Sequence, residues 1–473
     1  MQKLILLICI TFILGLSQSD IPNFDKYYKP QEFSSMDMFS SSSKWSWHRY
    51  KQSTHFFVFW EKQFGSDPNS SSVPSQYRVD IDDLLRKAEQ FYVTNINKIK
   101  FATTGHGKSY LDKYKMEIYL LYQSEWLATG SGYDNVIGAL WVNPTTCQPV
   151  GFVIGHEIGH SFQYQVYCDQ IYRGETDEWT FKTGFRYGYE GSNGGNGFWE
   201  QTAQWQSFQD YPSEMFYDWF YYWPLHCHRH FEHEVMRYAS HWLHTYWADK
   251  LGQQVIGNIW RSSKYPEDAI QAYTRLYAKN KYSTVREELF DYAIKIATYD
   301  LDSTRAYSLQ FVDQYSTQFY KNGNYYQVAY SKCPGATGFN VIPLKLPSSG
   351  STIKVEFVGL QPGSSLASGD PGKWIKTDEE VGGTVSTYNS VNKGNVGWRY
   401  GFVTINSDNS RTYSEYFSSS KATVSFNVPS HAKKLFMVVQ GSPDTYIHSA
   451  WDDNELTDAQ FPYKLKFTNT GLK

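Results

Sequence analysis

Residues 150–165 read VGFVIGHEIGHSFQYQ, and the reading of the chain turns on whether this stretch is one helix. Pro149 stands just before it, where its fixed φ suits a first helical turn. On a helix, His156 and His160 lie one turn apart, project from the same face and can bind one metal ion. Glu157 is rotated by one residue, beside the metal, where a carboxylate can take a proton from metal-bound water. Zinc suits such a pair because it lowers the pKa of bound water to about 7 and polarises a carbonyl as a Lewis acid. The pattern alone is weak, since histidine and glutamate are common; its context is stronger. VGFVIG precedes it and Phe162 follows, so the helix is apolar on more than one side, and two histidines and a glutamate buried there would be costly without a shared purpose. Gly155 and Gly159 each cost about 1 kcal/mol against alanine inside a helix, which points to close approach by another element.

A catalytic zinc takes three protein ligands and keeps an open position. The extended pattern HExxHxxGxxH would supply a third histidine, but Gln163 and Val166 occupy those places. Glu200 is the foremost third ligand: it sits in FWEQTAQW on a predicted helix 40 residues after His160, with the small Ala203 one turn later. Its ordinary alternative is a first-turn glutamate favoured by the helix dipole after an Asn196 cap. Glu190, Asp169 and Asp177 are further carboxylates, in sequence that reads as loop. His226, His228, His230 and His233 read as a packed or solvated cluster, with a second metal site as the alternative.

Around the motif, KQSTHFFVFWE (51–61), KMEIYLLYQS (115–124) and NVIGALWVNP (135–144) have strand character, and VDIDDLLRKAEQFYVTNINKI (79–99) has the spacing of an amphipathic helix. A Gly-rich loop (187–197) leads to the helix of Glu200, and MRYASHWLHTYWADKLG (236–252) reads as a helix stopped by Gly252. Beyond about residue 331, runs such as STIKVEFVGL, WRYGFVTIN, KATVSFNV, KKLFMVVQGSP and FPYKLKFTN are short strands separated by turns, the pattern of a β-sandwich. The expected fold is an α+β zincin-like catalytic domain over 45–330, after an extended lead-in at 20–44, followed by an all-β sandwich over 339–473.

With His156-Glu157-x-x-His160, Glu200-x-x-Ala203 and the strand Gly138-Ala139-Leu140-Trp141, the chain resembles the gluzincin metallopeptidases, the thermolysin-like group, mainly over 115–252. The resemblance implies zinc held by His156, His160 and Glu200, and Glu157 as general base and then proton donor to the leaving amine. It implies that the strand of Gly138, Ala139, Leu140 and Trp141 is the sheet edge, pairing with an extended peptide substrate through backbone groups. It also implies a Tyr or His at the oxyanion, for which Tyr238, His233 and His241 all stand in the right segment. The C-terminal portion is similar to uncharacterised secreted microbial proteins with HExxH motifs. There Trp398, Tyr400 and Trp451 read as core aromatics, with sugar stacking as the alternative.

Other features bound the partners. MQKLILLICITFILGLSQS (1–19) reads as a secretory signal peptide, and no later run is apolar enough for a membrane span. Without it the chain carries 43 basic and 47 acidic residues, a balance of −4 with no basic block, which argues against nucleic acid and anionic membranes. Asn69-Ser70-Ser71 is a glycosylation sequon. Cys147, Cys168, Cys227 and Cys333 remain, and in an oxidising compartment they are expected to form two disulfides. A helix between Cys147 and Cys168 holds them roughly 25 Å apart, so each would pair with Cys227 or Cys333 instead. The expectation is a secreted, monomeric zinc metalloendopeptidase acting on protein, peptide or glycopeptide. The competing reading is a non-catalytic secreted binding protein, with carbohydrate as one ligand class, that keeps a zincin-like scaffold.

Overall fold

The run FFVFW at 56–60 has no polar residue on either face, and in the computed structural model it is a strand buried along its whole length. The structure describes residues 24–180, 182–185, 195–348, 350–377, 380–449 and 454–473. The signal peptide, Glu190 and Trp451 lie outside the described residues. Two compact units divide the chain: Met1–Ile96 with Ala102–Gly174, and Asn97–Phe101 with Glu175–Lys473.

The first unit is a five-stranded sheet with helices on one face. Its strands are β1 (Tyr50–Gln52), β2 (Phe56–Trp60), β3 (Met116–Leu120), β4 (Ala128–Tyr133) and β5 (Ile137–Val142), in the order β1-β2-β3-β5-β4. β2, β3 and β5 run parallel, and β4 is antiparallel to β5. Helix α1 (Ile81–Val93) starts at Asp80, whose side chain accepts from the backbone N–H groups of Asp82 and Asp83, and ends in a π-helical turn at Thr94–Ile99. Helix α2 (Phe152–Tyr172) carries the motif and is buried on nearly every side.

Period-two alternation explains how both faces of this sheet are covered. A Cβ on Gly138 would overlap Ser161 of α2, so the face of Met116, Ile118 and Leu140 is the one under the helices. The opposite face carries Phe57, Phe59, Glu117, Tyr119 and Trp141. It is covered by the segment expected as a lead-in, which supplies Phe33, 5.7 Å from Tyr119 between ring centroids, with Trp45 4.9 Å from the same ring. β4 has a weak strand signature, since ATGSG before Tyr133 is a run of small residues. Its glycines permit close packing: a side chain at Gly130 would overlap the Glu157 carbonyl and the Cβ of His160.

The second unit opens with helices α3 (Gly195–Phe208), α4 (Tyr222–His226), α5 (Trp242–Leu251), α6 (Gln254–Ser262), α7 (Ala269–Tyr277), α8 (Tyr282–Ile296) and α9 (Arg305–Ser308). α5 stops at Gly252, whose φ of +88° is the conformation that made glycine a stop signal. α3 begins at Gly195, so Asn196 falls inside the helix rather than at its cap. Trp205, Trp242, Trp247 and Trp260 fill the helical core.

The remainder is β6 (Phe319–Asn322), β7 (Tyr325–Val328), β8 (Phe339–Leu344), β9 (Thr352–Gly359), β10 (Lys373–Thr377), β11 (Glu380–Thr384), β12 (Trp398–Asn406), β13 (Arg411–Tyr413), β14 (Lys421–Asn427), β15 (Ala432–Gly441) and β16 (Tyr463–Thr468). β10 and β11 form a hairpin; the others make a four-stranded sheet, β13-β12-β15-β8, and a five-stranded sheet, β14-β9-β16-β7-β6. Inward side chains from both sheets, among them Ile342, Phe357, Phe402, Met437 and Leu465, share one core, so the mixed α/β portion is followed by a sandwich-like one. Trp398 and Tyr400 belong to that core: Trp398 Nε1 donates to the Phe461 carbonyl at 3.0 Å and Tyr400 stacks on Phe357 at 4.0 Å, which leaves neither ring for a sugar.

The expected disulfides are absent. Cys147, Cys168, Cys227 and Cys333 are all free and buried. Each is packed as a small apolar side chain, and burial pushes the thiols of Cys147 and Cys227 up to about 12. Among the described residues no helix is long and apolar enough to cross a membrane.

Candidate metal centre

The local sequence explains why α2 can hold polar groups in its middle. Small residues on it let its neighbours approach: Gly155 meets the ring of Phe91 on helix α1, and Ser161 Oγ donates to the Ala139 carbonyl of β5 at 3.0 Å. His156 and His160 are one turn apart and buried, their ring centroids 4.6 Å apart and the rings nearly perpendicular. Glu157 is buried beside them, and Glu200, on the second turn of α3, is 5% exposed. One ligand atom from each of His156, His160 and Glu200 lies within 4.8 Å of the others. Among the described residues this is the one such gathering of three histidine, cysteine or acidic side chains.

Two imidazoles and a carboxylate so close together, and out of water, fit a divalent cation that takes mixed nitrogen and oxygen ligands. Without a shared cation such a cluster would be costly to bury. The donor set does not by itself select zinc over other first-row metals.

Gln163 is the residue that sequence reasoning used only to exclude a third histidine. Three positions after His160 it is on the same helical face, and its Oε1 lies 2.9 Å from His160 Nδ1, with Gln163 itself 1% exposed. The amide oxygen can only accept, so Nδ1 carries the proton and donates, which leaves the Nε2 lone pair for a metal. The signal was available: a polar residue at the third position after a candidate histidine ligand, in an otherwise buried helix.

The strand of Gly138, Ala139, Leu140 and Trp141 is not the sheet edge. β5 pairs with β3 on one side and β4 on the other, so its backbone groups are already used. The free edge next to it is β4. Sequence reading missed β4 because 128–132 is a run of small residues with only Thr129 β-branched and Tyr133 aromatic at its end, and the edge assignment implied by the gluzincin resemblance does not hold for β5. Gly138 instead donates its N–H to Gln165 Oε1 at 3.0 Å, locking β5 to α2.

The other carboxylates have structural roles. Asp169 is buried and accepts from the Tyr110 N–H at 3.0 Å and Gln165 Nε2 at 2.8 Å, with burial raising its pKa to about 6. Asp177 anchors a turn through Trp179 and Thr180, whose hydrogen bonds lower its pKa. The four histidines from His226 to His233 do not gather as metal ligands do. Of the candidates for the oxyanion, His233 is held by Arg229 Nη1 at 2.7 Å, Tyr238 packs on Trp219 at 5.2 Å under the guanidinium of Arg237, and His241 lines a separate cavity.

No curated protein matches the chain. Three solved structures are slightly similar to part of it. They are the C-terminal family 22 carbohydrate-binding module of Clostridium thermocellum Xyn10B, a xylan-binding domain of the same module family, and a protein from Sulfurospirillum deleyianum. The first two are each 9% identical over 33% of this chain and 81% of their own, with a TM-score of 0.17. The third is 12% identical over 32% of this chain and 99% of its own, with a TM-score of 0.16. Likeness at this level carries no weight for fold or activity. Residues 20–473 match, almost from end to end, a family described as a family of unknown function (DUF6055), and the chain belongs to that family.

Proposed function

We propose that the chain is a secreted zinc metallopeptidase of gluzincin type, built on a zincin-like domain, with His156, His160 and Glu200 as metal ligands and Glu157 as general base. The observation that carries this reading is the buried His156–His160–Glu200 group, whose two histidines lie on a helix that also presents Glu157 one residue from the first ligand. Bound there, zinc would supply Lewis acidity, activating water and polarising the scissile carbonyl.

The chain's own residues supply the rest. Gln163 holds His160 in one tautomer. Glu157 takes a proton from the attacking water and passes it to the leaving amine, a role worth about 10²–10⁴ in rate. An extended peptide can add to the free edge of β4, whose backbone groups on that side are unpaired by the sheet. Hydrolysis needs no covalent intermediate, and among the described residues no cysteine is placed to give one, since Cys147, Cys168, Cys227 and Cys333 are buried and burial raises their pKa values.

The test is metal content together with a peptide-library cleavage profile, run on the wild type and Glu157→Gln in parallel. The expected outcome is one zinc per chain in both, with chelator-sensitive cleavage in the wild type that falls by at least about a hundredfold in E157Q. A chain without stoichiometric metal, or an E157Q variant that cleaves as well as wild type, overturns the reading. Chelator-resistant binding of a glycan with no cleavage of any substrate would favour a non-catalytic binding protein instead.

A further inference from the structure

Helices α3 and α5 and the turn Pro212–Phe216 enclose a cavity of about 190 Å³ within the second unit. Trp205 and Phe208 from α3, with Pro212 and Met215, make its walls apolar. Asp249, from the last turn of α5, is the acid in the lining. Its side chain accepts from the Ser303 N–H at 3.2 Å, and from the Ser303 hydroxyl and the Asp302 N–H, and has no ion pair among the described residues. The nearby cations are engaged elsewhere: Lys250 with Glu288 at 2.9 Å, and Arg305 with Asp300 at 2.8 Å and Asp302 at 3.0 Å.

Asp249 is unfavourably placed for an anion. It stands at the negative end of a helix dipole. Partial burial, and then Asp302, raise its pKa. The other titratable group of the lining, His241, is 3% exposed, and burial pushes its pKa down to about 3, so it is a neutral imidazole and no competing cation. Its Nδ1 is a buried acceptor without a hydrogen-bond partner.

We propose that this cavity binds a small organic molecule bearing a primary ammonium group, with the charge at Asp249 and the hydrocarbon body against Trp205 and Phe208. An ammonium brings the counter-charge that the lining lacks, with N–H donors for the carboxylate at the helix end. Aromatic walls attract a cation and repel an anion, and the apolar body gains by leaving water. A hard metal ion is a poor fit, because it needs several oxygen ligands and the lining offers a single carboxylate.

Calorimetric titration of the full chain with phenethylammonium chloride tests this, with 2-phenylethanol as the neutral counterpart. Chelator is present throughout, so that an amine coordinating a metal at His156 and His160 is not counted. Asp249→Asn keeps an acceptor for Ser303 and removes the charge; Ala248→Leu fills the cavity and leaves the charge. The expected result is saturable binding of the amine that weakens about tenfold or more in D249N, the scale of one charge-assisted hydrogen bond. It should also weaken in A248L, while the alcohol binds less well than the amine and is indifferent to D249N. Circular dichroism confirms that both variants are folded. No binding of the amine at millimolar concentration, equal binding of amine and alcohol, or binding unchanged in both folded variants overturns the proposal.

Discussion

Replacing Gln163 by methionine separates holding a metal from merely having two histidines on a helix. The side chain is 1% exposed, and its Oε1 sits 2.9 Å from His160 Nδ1. Methionine is of similar volume, so the change opens no large cavity, but it removes the acceptor and leaves a buried imidazole N–H unsatisfied, at about 1–3 kcal/mol. The same loss frees the ring to exchange tautomers, so that Nε2 no longer has a fixed lone pair. Partners of this kind are worth about 10–100-fold in metal affinity, or about 1.4–2.7 kcal/mol, which matches the hydrogen-bond figure. Competition against a chromophoric zinc chelator measures the affinity, and thermal unfolding of the metal-free protein measures the stability. Zinc should bind at least tenfold more weakly in Q163M, whereas Gln163→Glu, which keeps an acceptor and adds charge, should bind as tightly as wild type or more so. An unchanged zinc affinity in Q163M would refute the role given to Gln163, and with it the assignment of Nε2 as the ligand atom.

Two other outcomes follow from buried titrating groups. Asp169 has a pKa of about 6 in the folded chain against 3.8 in its ordinary state, so the folded form holds its proton more tightly. Its contribution to stability is complete below about pH 3.8 and is lost as pH rises to about 6, a difference on the order of 3 kcal/mol. Asp169→Asn should flatten the denaturant midpoint across that window, and an identical slope in both proteins would show that the raised pKa is not real. The cysteines should be inert to a thiol-specific reagent in the native chain and titrate as free thiols once it is denatured; no free thiol under non-reducing denaturation would restore the disulfide reading.

What the sequence disclosed follows the strength of each local signal. α2, with His156, Glu157 and His160 buried on it, was legible because HExxH fixes spacing, and apolar flanks fix burial. Glu200 was legible as a carboxylate on the next helix with a helical register of its own, and it falls on α3. β4 was not legible, because its close approach to α2 requires small residues at Gly130 and Gly132, which remove the side chains a strand is read by. The edge strand implied by the resemblance is therefore one strand away from the edge of the sheet. The lead-in was undervalued for a related reason: its serines suggest a solvated segment, whereas Phe33 packs on Tyr119 of β3, with Trp45, just past the lead-in, on the same ring.

The His-rich stretch at 226–233 shows how burial changes what a residue type means. As sequence, four histidines suggest ligands; in the fold, burial lowers the pKa of His226 to about 3 and those of His228 and His233 well below the ordinary value, with Arg229 pushing the same way. The cation of this cluster is therefore the guanidinium. Arg229 pairs with Glu455 at 2.5 Å and reaches His233 Nε2 at 2.7 Å, while Asp458 stands 3.2 Å from His230 Nε2. A metal would have to displace a guanidinium already charged, paired and buried. The arrangement instead ties the 226–236 segment to the turn before β16. Glu455→Gln leaves Arg229 buried without its counter-charge, a loss of about 3–5 kcal/mol for a broken buried pair. Chemical denaturation should show that loss while the zinc content of the folded variant stays as in wild type. A fall in bound metal with stability unchanged would mean that the histidines hold an ion after all, and that the cation here is not Arg229.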